Sequence, residues 1–222
     1  MGMSLDVPLS LEPMEAGPVD DLPAASDLWQ YEPKIDGFRC LIFRDGDRVH
    51  LQSKNERPLE RFFPEMVAGV KALRHKRFVL DGELVIPEAP FEALQARLHP
   101  ATSRIEKLSR ETPAQYVAFD LLAGSTGKAL LDRPFGERRA RLEKMFATIA
   151  KGAPFLLSEA TSEPRTARTW LKQLGKGIDG IVAKRLRPHY RPGARAMQKY
   201  KVWRTVDCAR LAGRHGQDRI SG

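Results

Sequence analysis

Apolar and polar positions alternate in short runs, and runs with a period of two are separated by Gly, Pro, Asn and Asp. Residues 28–43 read as a strand, a turn and a second strand, and Asp45-Gly46-Asp47 turns the chain back into a strand at 49–53. Residues 78–86 and 116–122 predict two further strands, the first interrupted by the polar Asp81-Gly82-Glu83. Helical spacing appears after Pro64, where Met66, Val67, Val70 and Leu73 share a face, and again over 134–149, where Leu142, Met145, Phe146 and Ile149 do. A short helix is predicted at 91–98, and Ser162, Pro164 and Gly175 bracket another. Strands at 180–184 and 197–202 complete the pattern.

Hairpin-linked strands with interspersed helices predict an α+β fold with mainly antiparallel sheets. The expected organisation is an extended N-terminal segment over residues 1–25, one domain over 26–208, and a disordered Gly- and Arg-rich tail over 209–222. There is no internal repeat.

Composition narrows the function. No apolar run approaches the roughly 20 residues needed to span a bilayer, and residues 1–23 carry neither a basic residue nor a long apolar block, so a cytoplasmic protein is expected, without membrane attachment. Two cysteines, Cys40 and Cys208, far apart in sequence, predict reduced thiols. The five histidines are scattered without metal-ligand spacing, which argues against zinc. Charge is uneven: residues 161–222 hold 15 Lys and Arg against 4 Asp and Glu, whereas residues 1–160 hold 22 against 24. The basic excess of the final third is the footprint expected for a polyanionic partner.

Candidate chemistry concentrates in a few short stretches. In a strand, Glu32, Lys34 and Asp36 fall on one face, an arrangement suited to a reactive lysine, and Gly37 permits a sharp turn after them. Lys199 and Lys201, two apart, also share a face and could hold one phosphate group. Glu83 and Asp179 are carboxylates inside otherwise apolar strands, which calls for a cationic partner. An amine with the ordinary lysine pKa of about 10.4 is neutral in only about one molecule in 2,500 at pH 7, so a nucleophilic lysine needs desolvation or neighbouring cations. Glu32 and Asp36 would oppose this unless they face other donors.

Five clusters occur in a fixed order after the KIDGFR stretch (Lys34 to Arg39): Ser53-Lys54-Asn55, Asp81-Gly82-Glu83, Ala118-Phe119-Asp120, Asp179-Gly180-Ile181-Val182-Ala183-Lys184 and Lys199-Tyr200-Lys201. Together they resemble the nucleotide-pocket motifs of the covalent nucleotidyltransferases, which are DNA ligases, RNA ligases and mRNA capping enzymes. The stretches YEPKIDGFRCLIFRDGD, ERPLERFFPE, FEALQARLHP, AFDLL and RTVDC most resemble bacterial ATP-dependent DNA ligases of the ligase C type, over residues 13–208.

The resemblance implies two packed, mainly antiparallel sheets flanked by helices, with the nucleotide between them. It implies three reactions: Lys34 attacks the α-phosphate of ATP, AMP passes to a DNA 5′-phosphate, and a 3′-hydroxyl displaces AMP to seal the nick. Glu32 would then accept from the adenine amine, Phe119 would stack on adenine, and Arg39 and Lys54 would hold ribose or DNA phosphate. Lys199, Lys201 and, more peripherally, Arg195 would hold nucleotide phosphate. Glu83 would meet ribose or metal, and Asp179 would help hold Mg2+. The implied partners are nicked double-stranded DNA and end-joining repair proteins.

Three departures from the family pattern stand out. Lys54 occupies a position where arginine is usual, which keeps the charge and loses the bidentate fork. Asp179 occupies a glutamate position. The chain also stops soon after the last motif, so the C-terminal OB-fold domain is expected to be absent, with nick sealing impaired unless another chain supplies one. A partner-dependent or inactive DNA-binding remnant, and an RNA ligase, are the alternative expectations.

Overall fold

The computed structural model describes residues 3–175 and 177–202 and arranges them as two β-sheets packed face to face. The four-stranded sheet has the order β1 (Glu15–Val19), β9 (Arg195–Tyr200), β8 (Ile178–Arg185) and β2 (Trp29–Ile35). The five-stranded sheet runs β4 (Arg48–Ser53), β3 (Phe38–Asp45), β5 (Arg77–Val85), β6 (Gln115–Ala123) and β7 (Phe155–Leu157). Neighbours are antiparallel except the β1–β9 and β6–β7 pairs. The α+β expectation is thereby met, with mixed sheets.

Alternation along the strands separates three cores. Cys40 and Ile42 of β3 face the helices α1 (Pro64–Ala72) and α4 (Phe135–Phe146), through Met66, Val70, Leu142 and Met145. Leu41 and Phe43 of the same strand face the other sheet, meeting Met197 and Tyr190. Behind the four-stranded sheet, Tyr31, Ile181 and Ala183 pack on Ala167 of helix α5 (Pro164–Thr169) and on Trp170 of the 3-10 turn that follows it (Trp170–Gln173).

The inter-sheet face changes character along its length, and this positions the site. On β3, Phe43 and Leu41 give way to Arg39; on β5, Val79 gives way to Asp81 and Glu83; on β9, Met197 gives way to Lys199. An apolar sandwich cannot be closed over charged side chains without penalty, so at that end the sheets enclose a polar cavity.

The alternation pattern anticipated neither β1 nor β7, nor the helix α3 (Thr102–Glu111) that follows the short α2 (Phe91–Gln95). β1 contains Gly17 and Pro18 and draws its order from pairing with β9; β7 has three residues; α3 buries only Ile105. Val7, Leu11 and Met14, ahead of β1, belong to the inter-sheet core. Cys208 and the 209–222 tail lie outside the described residues. No helix among those described is long and apolar enough to cross a membrane.

Candidate active site

The cavity is lined by Glu32 and Lys34 of β2, Arg39 of β3, Glu83 of β5, Phe119 of β6, Val182 and Lys184 of β8, and Lys199 of β9, with Glu15 and Lys54 also on its wall. Residues spread over most of the chain converge because β2 pairs with β8 and β3 with β5.

Lys34 stands opposite Gly180 in the β2–β8 register, which brings its amine beside Asp179. Nζ of Lys34 donates to Asp179 Oδ2 at 2.6 Å, and Nζ of Lys201 approaches the same oxygen at 2.5 Å. Burial pushes the Asp179 carboxyl up, but the hydrogen bonds from Lys201 and Lys34 outweigh it and hold the group below the ordinary carboxylate range. Gly180 has φ 150°, and a β-carbon there would run into the Tyr200 carbonyl, so only glycine lets β8 and β9 approach closely enough for Asp179 to lie between the two lysines.

Glu32 faces other donors rather than Lys34. Its side chain is buried, Oε2 accepts from Lys184 Nζ at 2.8 Å, and Oε1 accepts from Gln30 Nε2 at 2.8 Å. Lys184 Nζ also lies 4.5 Å from the centre of the Phe119 ring, and Arg39 Cζ lies 4.6 Å from it. Two cations therefore frame one aromatic wall. Lys184, which the sequence marks only as the end of its motif, reaches Glu32 because it stands two residues beyond Val182, the register partner of Glu32.

Arg39 is fixed by Asp81 through Nε at 2.5 Å and Nη2 at 2.7 Å, and Nη2 also donates to the Met14 carbonyl at 3.1 Å. The Tyr190 hydroxyl donates to Asp81 Oδ2 and accepts from the Met14 amide, both at 2.8 Å. Burial disfavours the Arg39 charge, but Asp81 overcomes this and the guanidinium is held strongly protonated. Beside it, burial pushes Glu83 up to about 8, against the downward pull of Arg39 and Lys34.

The remaining candidates divide. Lys54 lines the cavity and pairs with Glu15 at 2.7 Å, a contact between β1 and the end of β4 across the two sheets. The lysine hydrogen bond is the main reason the Glu15 carboxyl is lowered. Arg195 is exposed, stands opposite Glu15 in the β1–β9 register and is not on the lining. Asp36 does not share the face of Glu32 and Lys34: a bulge between Lys34 and Ile35 breaks the alternation, and Asp36 lies outside β2 on a different cavity wall. Gly37 is required for space rather than handedness, since a β-carbon there would collide with the Leu84 carbonyl and meet Glu83 Cγ at 2.8 Å.

Among the described residues no three His, Cys, Asp or Glu side chains are grouped to hold a metal. One Asp179 oxygen, Oδ2, is shared by two ammonium groups. A second groove adjoins the cavity, sharing Arg39, Lys54 and Glu83 and adding Phe38, Asn55 and Arg57.

A family model described as ATP dependent DNA ligase domain matches residues 13–202. The chain is 45% identical over 210 residues to DNA ligase C2 of Mycolicibacterium smegmatis and 45% identical over 214 residues to DNA ligase C of Mycobacterium tuberculosis, covering 93% of this chain and 58% of each relative. The chain thus spans less than two thirds of the curated relatives it matches. Among solved structures it resembles the ligase domain of M. tuberculosis LigD, with a TM-score of 0.66, 27% identity and coverage of 87% of this chain and 60% of that one. It also resembles a mycobacterial DNA ligase D complexed with ATP and MES, with a TM-score of 0.65, 26% identity and coverage of 88% and 62%.

Proposed function

Since this chain belongs to the ATP-dependent DNA ligase domain family, as an adenylation domain related to ligase C, we propose that it charges Lys34 with AMP and delivers that AMP to the 5′-phosphate of nicked DNA. The observation that carries the reading is the amine of Lys34 held against Asp179 with Lys201 on the same oxygen, inside a cavity walled by an aromatic ring and further cations.

In the first step the Lys34 nitrogen forms a bond to the α-phosphorus, the bridging bond to the β-phosphate breaks, pyrophosphate leaves, and the ammonium gives two of its three protons to water, keeping one on the phosphoramidate nitrogen. Lys199 and Lys201 neutralise charge on the α-phosphate oxygens as it accumulates. Asp179 restrains the amine until the nucleotide draws Lys201 toward phosphate. Glu32 accepts from the 6-amino group of adenine, Phe119 stacks on the ring, and Arg39 and Glu83 meet the ribose. Magnesium, a hard cation suited to oxygen ligands, would accompany the triphosphate and neutralise its charge, with Glu83 and Asp179 the carboxylates that would help hold it.

In the second step a DNA 5′-phosphate oxygen attacks the same phosphorus and the bond to Lys34 breaks. In the third, a 3′-hydroxyl attacks the DNA phosphate and AMP leaves. The groove that adds Arg57 to Lys54 offers cations for the DNA backbone at this end of the cavity. Nick sealing in bacterial repair or end joining, on chromosomal DNA in the cytoplasm, is the role we propose for the whole protein, with an OB-fold domain closing over the site.

The test is intact mass after incubation with ATP and magnesium. A gain of one AMP, lost in Lys34→Ala, is expected; an unchanged mass in the folded wild-type protein refutes the reading.

A further inference from the structure

Arg139 reaches Glu32 from α4, behind the cavity wall. Its side chain is 6% exposed, its Nε donates to Glu143 Oε1 at 2.8 Å, and its Nη2 donates to the Ser158 carbonyl at 2.8 Å. The third nitrogen, Nη1, is buried without a hydrogen-bond partner and stands 3.8 Å from Glu32 Oε1. A buried guanidinium N–H left unmatched is costly. A purely structural clip between α4 and the Ser158 segment explains Nε and Nη2. It gives no reason for the charge to point at Glu32.

We propose that Arg139 is a positioning residue that sets purine choice by fixing the Glu32 carboxylate as an acceptor toward position 6 of the base. This rests on the reading in which Glu32 meets the adenine amine. A carboxylate offers about four lone-pair sites. Gln30 takes one on Oε1 and Lys184 takes one on Oε2, and a guanidinium tethered at two corners pins the carboxylate plane from the protein side. Glu32 lines the cavity, and we assign its remaining lone pairs to a base bound there. Adenine presents a donor there; hypoxanthine and guanine present a carbonyl oxygen, which a fixed acceptor repels. A site built around one hydrogen bond rejects the base that cannot make it more strongly than a site defined by shape alone. Lysine at position 139 would keep the charge and lose the fork.

The experiment compares AMP and IMP transfer to the protein from ATP and from inosine triphosphate, which differs at position 6 without the extra amino group of guanine. In wild-type protein ATP is expected to be strongly preferred. In Arg139→Lys and Arg139→Met the ratio of kcat/KM values for the two nucleotides is expected to fall roughly tenfold, while kcat at saturating ATP stays within about threefold. In a Glu32→Gln background, Arg139→Lys is expected to leave the ratio unmoved. Should Arg139→Met not fold, Arg139→Lys decides. A ratio unchanged in the folded variant, or one that falls equally in the Glu32→Gln background, overturns the role of Arg139. Wild-type protein that takes no AMP from ATP overturns both this inference and the reading on which it rests.

Discussion

Lys34 and Lys201 converge on one oxygen, Oδ2 of Asp179, at 2.6 and 2.5 Å. The two ammonium groups are drawn together from β2 and from the residue just after β9 by a single acid on β8, so the amine proposed to react and the cation proposed for its phosphate target are set by one contact.

Replacing that acid separates the pair. Asp179→Asn keeps shape and removes the charge, and self-adenylation is expected to slow by on the order of a hundredfold, as misplacement of a reacting group does. Because Asp179 is 30% exposed, the change in folding stability is expected to stay below about 1 kcal/mol. Single-turnover AMP incorporation beside urea titration separates the two effects. Equal rates in the two proteins would show that Asp179 does not position Lys34.

Asp81 carries a different burden. It is fully buried, takes both Arg39 nitrogens and accepts from Tyr190. Asp81→Ala leaves a guanidinium at the cavity without its partner and is expected to cost about 3–5 kcal/mol of stability. Tyr190→Phe removes two hydrogen bonds, the one donated to Asp81 and the one accepted from the Met14 amide, and is expected to cost about 2 kcal/mol. Thermal or chemical denaturation checks the order of the two; a Tyr190→Phe protein as unstable as Asp81→Ala would contradict it.

The raised Glu83 pKa gives a sign to pH dependence. Between the ordinary value of 4.5 and about 8, the folded protein retains a proton that the unfolded chain has released. This contribution is fully present below 4.5 and is lost as pH rises through about 8. The urea midpoint is therefore expected to fall over that window, and to fall less in Glu83→Gln, which cannot ionise. Parallel pH profiles for the two proteins would exclude Glu83 as the source.

At the cavity wall, Glu15 and Lys54 form a partly exposed pair. Glu15→Gln is expected to leave stability within about 1 kcal/mol and to tighten ATP binding about two- to threefold at low salt, because Lys54 is released toward phosphate and a negative charge is removed. Equilibrium binding at low and high salt measures this; a gain that persists undiminished at high salt would point away from charge.

Much of the arrangement was legible in sequence where burial enforces a period of two. Glu32 and Lys34 could be assigned a common face because they alternate with Tyr31, Pro33 and Ile35 in one strand, whereas Lys199 is tied to them only by the order of the motifs. Asp36 could not be placed, since a bulge leaves no mark in composition. β1 was hidden for a related reason: its partner β9 is the last strand among the described residues, and no local signal reports a pairing that distant. The basic final third suggested a polyanion surface, yet Lys184 and Lys201 turn inward to acids. Arg139 sits within a charged stretch that reads as solvated. The clue is that Phe135, Arg138, Arg139, Leu142 and Met145 lie on one helical stripe, so the two arginines occupy buried positions.

The place of β9 between β1 and β8 has a consequence for assembly. Glu15 lies opposite Arg195, so that pairing encloses nearly the whole domain in a single loop, the kind of contact whose closure entropy is met late in folding. The β3–β5 wall, whose partners lie closer in sequence, is expected to pair before β9 brings Lys199 into place. Lys34 on β2 and Lys199 on β9 therefore share a cavity only through the most sequence-distant pairings of the four-stranded sheet.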